Sequence, residues 1–351
     1  MTLDEAFRDQ AKSCAALGSP FTARLLDGLA GAIRPGAALA DRLLGWPGDV
    51  SSAGASLALR LAGGLHALVR LGRDTELAAA YADPAIDGPS LTAAALAAMA
   101  RHEAFLLDWI ESPPQTNEVR RSAVLIAAAH LLTARYARPL ILSELGASAG
   151  LNLLWDRYAL EIGGHRFGPP DPVLTLRPDW TGPLPDPSPP RVAERAGVDL
   201  NPLDPLADRL RLLSYIWADQ ADRIARTEAA LAEAGRQRPQ VVRADAIDWL
   251  AVRLASPRPG HLHLVYHTIA WQYFPAETQA RGRALLAEAG ARATPDAPLA
   301  HLEMEADGNG PGAGLSLTLW PGGTRHQLGR ADFHGRWVDW QPTPPRPLAF
   351  P

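Results

Sequence analysis

A chain of 351 residues with 47% hydrophobic and 21% charged residues is ordinary globular material, long enough for two domains, which excludes a disordered or fibrous protein. A formal net charge of -4 without any run of Lys or Arg argues against a nucleic acid or an anionic membrane as partner and leaves a small-molecule substrate as the expectation. Cys14 is the only cysteine and Lys12 the only lysine, so an internal disulfide, a cysteine zinc cluster, a P-loop lysine and a central Schiff-base lysine are all excluded.

In chain order, residues 1–112 are rich in Ala, Leu and Arg at helical spacing, as in Leu57, Leu61, Leu65, Leu68 and Leu71, with breaks at Pro35, Pro47 and Pro84. An all-helical N-terminal domain is expected there. The acidic start (MTLDEAFRDQ) is unlike a signal peptide, and no apolar run reaches the roughly 18 residues of a spanning helix, so a cytoplasmic protein is expected. Nothing in the sequence fixes the oligomeric state. Residues 113–351 form the second expected domain, an α/β fold. Its first helix is predicted from Thr116 or Asn117 as N-cap to about Tyr136, leading directly into a strand that ends at Glu144. Running antiparallel to that strand, the helix would return Gln115, Thr116, Asn117 and Glu118 to the strand's carboxyl end, with Arg121 one turn on.

The strand is the apolar run Leu140, Ile141 and Leu142, followed by Gly146, Ala147, Ser148, Ala149 and Gly150 and by helix formers from Leu151 to Trp155. Small residues between a buried strand and a helix start let a ligand approach the backbone and face its free N–H groups. Glu144 is the acidic partner of that turn, and Asn152 is counted with it. A β insertion is predicted at about 158–190, with a hairpin around Gly163–Gly164 and a strand over 173–180. GVDLNP then ends a strand at Asp199 and Asn201, where an acid can accept ribose hydroxyls. VVRADAIDWL places Asp245 and the small Ala246 after a third strand, positions suited to an exocyclic amine and a flat base.

HLHLVYHT alternates so that His261, His263 and His267 share one face. Three histidines along one strand span too far to share an ion and no nearby carboxylate completes a set, so no metal site is expected. His267 should end the fourth strand over the site, with Trp271, Gln272 and Tyr273 close behind. The tail reads as a helix over about 276–289 and strands over 299–305, 315–320 and 325–333, the last two joined through Pro321-Gly322-Gly323.

Alternating strands and helices closed by an antiparallel hairpin resemble the layout of class I methyltransferases, a Rossmann-like, mostly parallel sheet. Glu144-x-Gly146-x-Ser148-x-Gly150, Asp199 and Asp245 resemble the S-adenosylmethionine-binding positions of that class, with Ser148 in place of the usual middle glycine. More specifically, PPQTNEVRRSA, ELGASAGLNLLWDRY, GVDLNPLDP and YHTIAWQYFP together resemble the bacterial family called domain of unknown function 2332. That family resemblance implies the methyltransferase-like architecture but brings no established reaction, whereas the resemblance to class I methyltransferases implies S-adenosylmethionine as cofactor. The cofactor set is then Glu144, Gly146, Ser148, Gly150, Asn152, Asp199, Asn201, Asp245 and Ala246. His267 is the expected general base with Tyr273 second, and Gln115, Thr116, Asn117, Glu118, Arg121 and Trp271 are the expected substrate contacts. Two alternatives stay open. One is a nucleotide-binding protein without catalysis. The other is a serine hydrolase, because Gly146-Ala147-Ser148-Ala149-Gly150 is a literal G-x-S-x-G between a strand and a helix, with Asp199 or Asp245 and then His267 in the usual order.

Overall fold

The computed structural model describes residues 1–342. The helices α1 (Leu3–Ala16), α2 (Pro20–Leu29), α3 (Ala38–Leu44), α4 (Leu57–Arg70), α5 (Thr75–Ala82), α6 (Gly88–Arg101) and α7 (Glu103–Ile110) come first. A 3-10 turn (Val119–Arg121), α8 (Ser122–Tyr136), β1 (Leu140–Leu145) and a 3-10 helix (Leu151–Arg157) follow. Next are β2 (Ala159–Ile162), β3 (His165–Phe167), β4 (Thr175–Leu176), β5 (Asp179–Thr181), β6 (Val192–Asp199), α9 (Arg209–Ser214), α10 (Ala221–Gln237), β7 (Val241–Arg243), α11 (Ala246–Arg253) and β8 (Leu262–Thr268). A 3-10 turn (Trp271–Tyr273), α12 (Ala276–Ala291), β9 (Leu299–Glu305), β10 (Ala313–Trp320), β11 (Thr324–Ala331) and β12 (Trp337–Trp340) complete the chain.

The chain divides into two compact units, one made of Met1–Thr116 with Ala207–Glu228, the other of residues 117–206 with those from 229 on. The first is helical. Its helices start where the sequence supplies acceptors: Thr2 and Glu5 form a capping box on α1, Ser19 caps α2 ahead of Pro20, and Asp74 and Asp87 cap α5 and α6. Leu57, Leu61, Leu65 and Leu68 of α4 are fully buried in the common core, whereas Leu71 falls on the C-cap and is exposed. Gly63 and Gly64 let α4 approach its neighbours, since a Cβ would stand 2.5 Å from the Tyr215 ring and 2.7 Å from Leu106.

The second unit is built on a nine-stranded, mostly parallel sheet in the order β5-β12-β11-β10-β9-β8-β1-β6-β7. β7, β6, β1, β8 and β9 are mutually parallel, so the strands run third, second, first, fourth, fifth and the order reverses beside β1. Ligands of doubly wound sheets bind at that reversal, outside the carboxyl ends of the strands. Every residue of β1 and β8 is buried, which accounts for the apolar runs Leu140–Leu142 and Leu264–Tyr266 within them. From β9 onward the chain turns back on itself through β10, β11 and β12, and β5 adds to the edge of β12 in parallel.

Several local expectations are corrected. The helix predicted from Thr116 or Asn117 begins at Ser122, after a 3-10 turn capped by Glu118. Leu151–Arg157 is a 3-10 helix with a break at Leu154, because side chains claim its carbonyls: Tyr158 donates to Leu151 O (2.8 Å), Tyr266 to Asn152 O (3.1 Å) and Arg195 to Leu153 O (2.8 Å). Those bonds compete with the i→i+4 bonds of an α-helix. The single strand read over 173–180 is the two short strands β4 and β5, and β12 has no counterpart in the sequence reading.

Candidate functional site

The turn after β1 is set by three left-handed residues in alternation, Gly146 (φ +71°), Ser148 (φ +53°) and Gly150 (φ +72°). Ser148 therefore holds a conformation that L side chains adopt rarely. The turn lies so close to its surroundings that a Cβ on Gly146 would stand 2.5 Å from Ala270 Cβ, and one on Gly197 of β6 would stand 2.6 Å from Ala147 Cβ. Its backbone donors are largely spent inside the protein. Gly146 N and Ala147 N donate to Val198 O at 2.9 and 3.0 Å, Ser148 N to Asp199 Oδ2 at 2.9 Å, and Leu151 N to Asn117 Oδ1 at 2.9 Å.

Glu144 is 2% exposed, and its Oε2 finds no hydrogen-bond partner among the described residues. Burial first, and the charge of Asp199 second, raise its pKa well above the usual carboxyl range; Arg121 and the Tyr266 hydroxyl oppose this without cancelling it. A buried carboxyl with one idle oxygen carries a desolvation cost that a donor from a ligand would relieve.

The segment leading into α8 brings Asn117 and Glu118 to the turn. Asn117 accepts the Leu151 N–H, while Asn152 Nδ2 donates to Glu118 O at 3.3 Å and Ser122 Oγ to Asn152 Oδ1 at 2.7 Å. Asn117, Glu118, Ser122 and Asn152 are all buried. Arg121 donates to Thr268 O and Phe333 O at 2.9 Å each. Gln115 and Thr116 belong to the first unit.

Asp199 ends β6 and uses Oδ2 on the turn and Oδ1 on Asn201 N (2.8 Å). Asn201 Oδ1 accepts from Arg243 at 3.2 Å. Asp245 is the N-cap of α11, its Oδ1 accepting from Ile247 N and Asp248 N, and Ala246 behind it is buried. Beside Ala149 lies a hollow of about 250 Å³ walled by Pro202, Leu203, Pro239 and Val241, with the Arg238–Asp204 ion pair (3.1 Å) at its lining.

The loop after β8 faces the turn through Ala270, and Ile269 is held at φ +53°, an outlier for a β-branched residue. Glu305 fixes the loop, its Oε1 accepting from Ala270 N (2.9 Å) and Trp271 N (3.1 Å) and its Oε2 from Gln272 N (3.3 Å). Burial alone would raise the Glu305 pKa, but His267 and these N–H groups outweigh it and hold it below the ordinary value. His267 is fully buried, with Nδ1 2.7 Å from Glu305 Oε1, Nε2 3.0 Å from His301 Nε2, and its ring stacked on Trp271 at 4.8 Å between centroids. Tyr273 is 72% exposed. Of the other strand histidines, His263 pairs with Ser143 Oγ at 2.8 Å and His261 lies outside β8 in the exposed preceding loop.

His301, Glu303 and Glu305 were not singled out from the sequence, although the alternation in HLEME puts all three on one face of β9, beside His267. Ser122 was missed as well, being a helix residue with no sequence signal of its contact to Asn152.

The mostly parallel sheet reverses its strand order beside β1, with a small-residue turn there, a buried acid near the end of that strand and further acids at the end of β6 and after β7, and the second unit is a mixed α/β structure. The chain belongs to DUF2332, a family of uncharacterised proteins conserved in bacteria, whose profile matches residues 4–340. No curated protein and no solved structure matches it. Among the described residues no helix is long and apolar enough to cross a membrane.

Proposed function

We propose that the protein is an S-adenosylmethionine-dependent methyltransferase of the Rossmann-like class acting on a small molecule, with the cofactor over the turn after β1. The observation that carries this reading is Glu144, a buried carboxyl with an unpartnered oxygen at the end of the first strand, beside the left-handed turn Gly146–Gly150. The ammonium group of the methionine moiety would supply the missing donor. Asp199 and Asn201 are proposed to face the ribose, Asp245 and Ala246 the base, and the apolar walls around Ala149 offer it further space.

Held there, the cofactor would supply an electrophilic methyl group to a nucleophile on the acceptor, whose proton would pass to solvent. Catalysis of such a displacement rests on alignment and exclusion of water, worth about 7 to 11 kcal/mol of barrier. With both ring nitrogens engaged, His267 acts in this reading by holding the loop through Glu305, and the exposed Tyr273 orients the acceptor beside Trp271. Calorimetric titration with S-adenosylhomocysteine tests the proposal. Binding by the unmodified protein, weakened at least about tenfold in Glu144→Gln, is expected, and a flat titration of the unmodified protein overturns it.

A further inference from the structure

We propose that His267, His301 and Glu303 bind one divalent transition-metal ion, zinc being the occupant their chemistry favours, with Glu305 orienting His267 from behind. The ligand atoms of these three residues lie within 4.8 Å of one another. The set crosses two strands: His267 pairs with Glu303 in the β8–β9 register, and His301 is two residues back on the same face of β9. The spacing argument against His261, His263 and His267 along one strand does not touch it, because the second histidine and the carboxylate come from the neighbouring strand.

The geometry is close to what an ion needs. Two nitrogens, each about 2.0–2.1 Å from a tetrahedral zinc, stand about 3.3 Å apart. His267 Nε2 and His301 Nε2 are now 3.0 Å apart, so a shift of a few tenths of an ångström opens the site. His267 keeps its ring proton on Nδ1, where Glu305 Oε1 accepts it at 2.7 Å, and this turns the Nε2 lone pair toward the ion. A carboxylate behind a ligating imidazole fixes tautomer and ring orientation in zinc sites, and here that carboxylate is itself held by the backbone N–H groups of Ala270 and Trp271. His301 needs only to carry its proton on Nδ1. Ser316 Oγ and Arg325 hold Glu303 Oε2 at 2.8 and 3.0 Å, which leaves Oε1 to ligate.

Two imidazoles and a carboxylate suit zinc and related borderline ions, whereas magnesium and calcium take oxygen ligands. Three protein ligands leave a fourth position open. The two histidines are buried and the Glu303 side chain is 18% exposed, so a water would enter from the Glu303 side. The inference is independent of cofactor binding at the β1 turn.

The test uses the full chain after exhaustive dialysis against a chelator, titrated with Zn²⁺ by calorimetry and with Co²⁺ by visible absorption, alongside melting temperature. Expected is uptake of one ion per chain, a Co²⁺ spectrum of the intense tetrahedral type, and a rise in melting temperature with Zn²⁺. His301→Gln and Glu303→Gln should weaken uptake at least about tenfold, Glu305→Gln by about 10 to 100-fold, and His261→Gln should leave it unchanged. Glu303 is the partly exposed ligand, so Glu303→Gln decides the matter should His301→Gln fail to fold. No uptake by the unmodified protein overturns the proposal, as does uptake unaltered by Glu303→Gln.

Discussion

Asn117 Oδ1 accepts the backbone N–H of Leu151 at 2.9 Å, so a residue preceding α8 caps the segment that follows the glycine turn 34 positions later. Both groups are buried, and Asn117 reaches past its own helix to do this. Asn117→Ala leaves the Leu151 N–H without its acceptor, so a loss of about 1–3 kcal/mol is expected, above the ~1 kcal/mol of an exposed cap. If the turn also binds ligand, affinity for S-adenosylhomocysteine falls with it. Chemical denaturation and calorimetry on one variant read both, and stability lost with affinity intact would reduce Asn117 to a structural clamp.

How far the sequence carried depends on whether a feature is local. The apolar run at Leu140–Leu142, the Gly163–Gly164 hairpin, the acid ending β6 at Asp199 and the β9 boundaries all follow from residues adjacent in the chain, and each was readable. The 3-10 character of Leu151–Arg157 was not, because it depends on Tyr158, Tyr266 and Arg195 claiming carbonyls from other elements. The pairing of His267 with His301 and Glu303 likewise exists only through the β8–β9 register, which no local spacing reveals. β12 was hidden for a related reason: it is four residues long, and its partners are β11 and the distant β5.

Ser148 separates the methyltransferase from the hydrolase reading. It is 4% exposed, left-handed at φ +53°, and its N–H is committed to Asp199, while both nitrogens of His267 are engaged elsewhere. A fluorophosphonate probe is therefore expected to leave Ser148 unlabelled, as judged by peptide mass spectrometry. Labelling that disappears in Ser148→Ala would restore the hydrolase.

Glu144 makes a prediction about pH. Its folded-state pKa lies well above the ordinary value of 4.5, so the folded protein holds this proton more tightly than the unfolded chain does. The stabilisation from that proton is complete below about pH 4.5 and is lost as pH rises through the raised pKa. Glu144→Gln, uncharged at every pH, removes the dependence, so the stability of the variant relative to the unmodified protein should climb with pH from 5 to 9. Parallel melting curves across that range check it, and a constant difference would mean that Glu144 is already ionised in the fold.

Asp199 has two duties that can be separated. Oδ2 holds the left-handed Ser148 in place through its N–H, and Oδ1 holds Asn201 at the end of β6. Asp199→Ala removes both bonds, so the turn loosens and stability falls by about 1–3 kcal/mol, whatever the ligand does. Asp199→Asn is the sharper variant, because its carbonyl oxygen can still accept the Ser148 N–H while its amide nitrogen, now opposite the Asn201 N–H, accepts neither from Asn201 nor from a ribose hydroxyl. If Asp199 only braces the turn, Asp199→Asn keeps the Ser148 bond, loses the Asn201 bond and leaves affinity for S-adenosylhomocysteine near that of the unmodified protein. If it also takes the ribose, Asp199→Asn shows the same partial loss of stability and in addition loses about tenfold in affinity. Removal of the acid lowers the charge near Glu144 as well, so the raised Glu144 pKa should move down in both variants. Proton titration of Glu144 by NMR or by difference infrared spectroscopy reads that shift, and no movement would show that burial alone sets the Glu144 pKa.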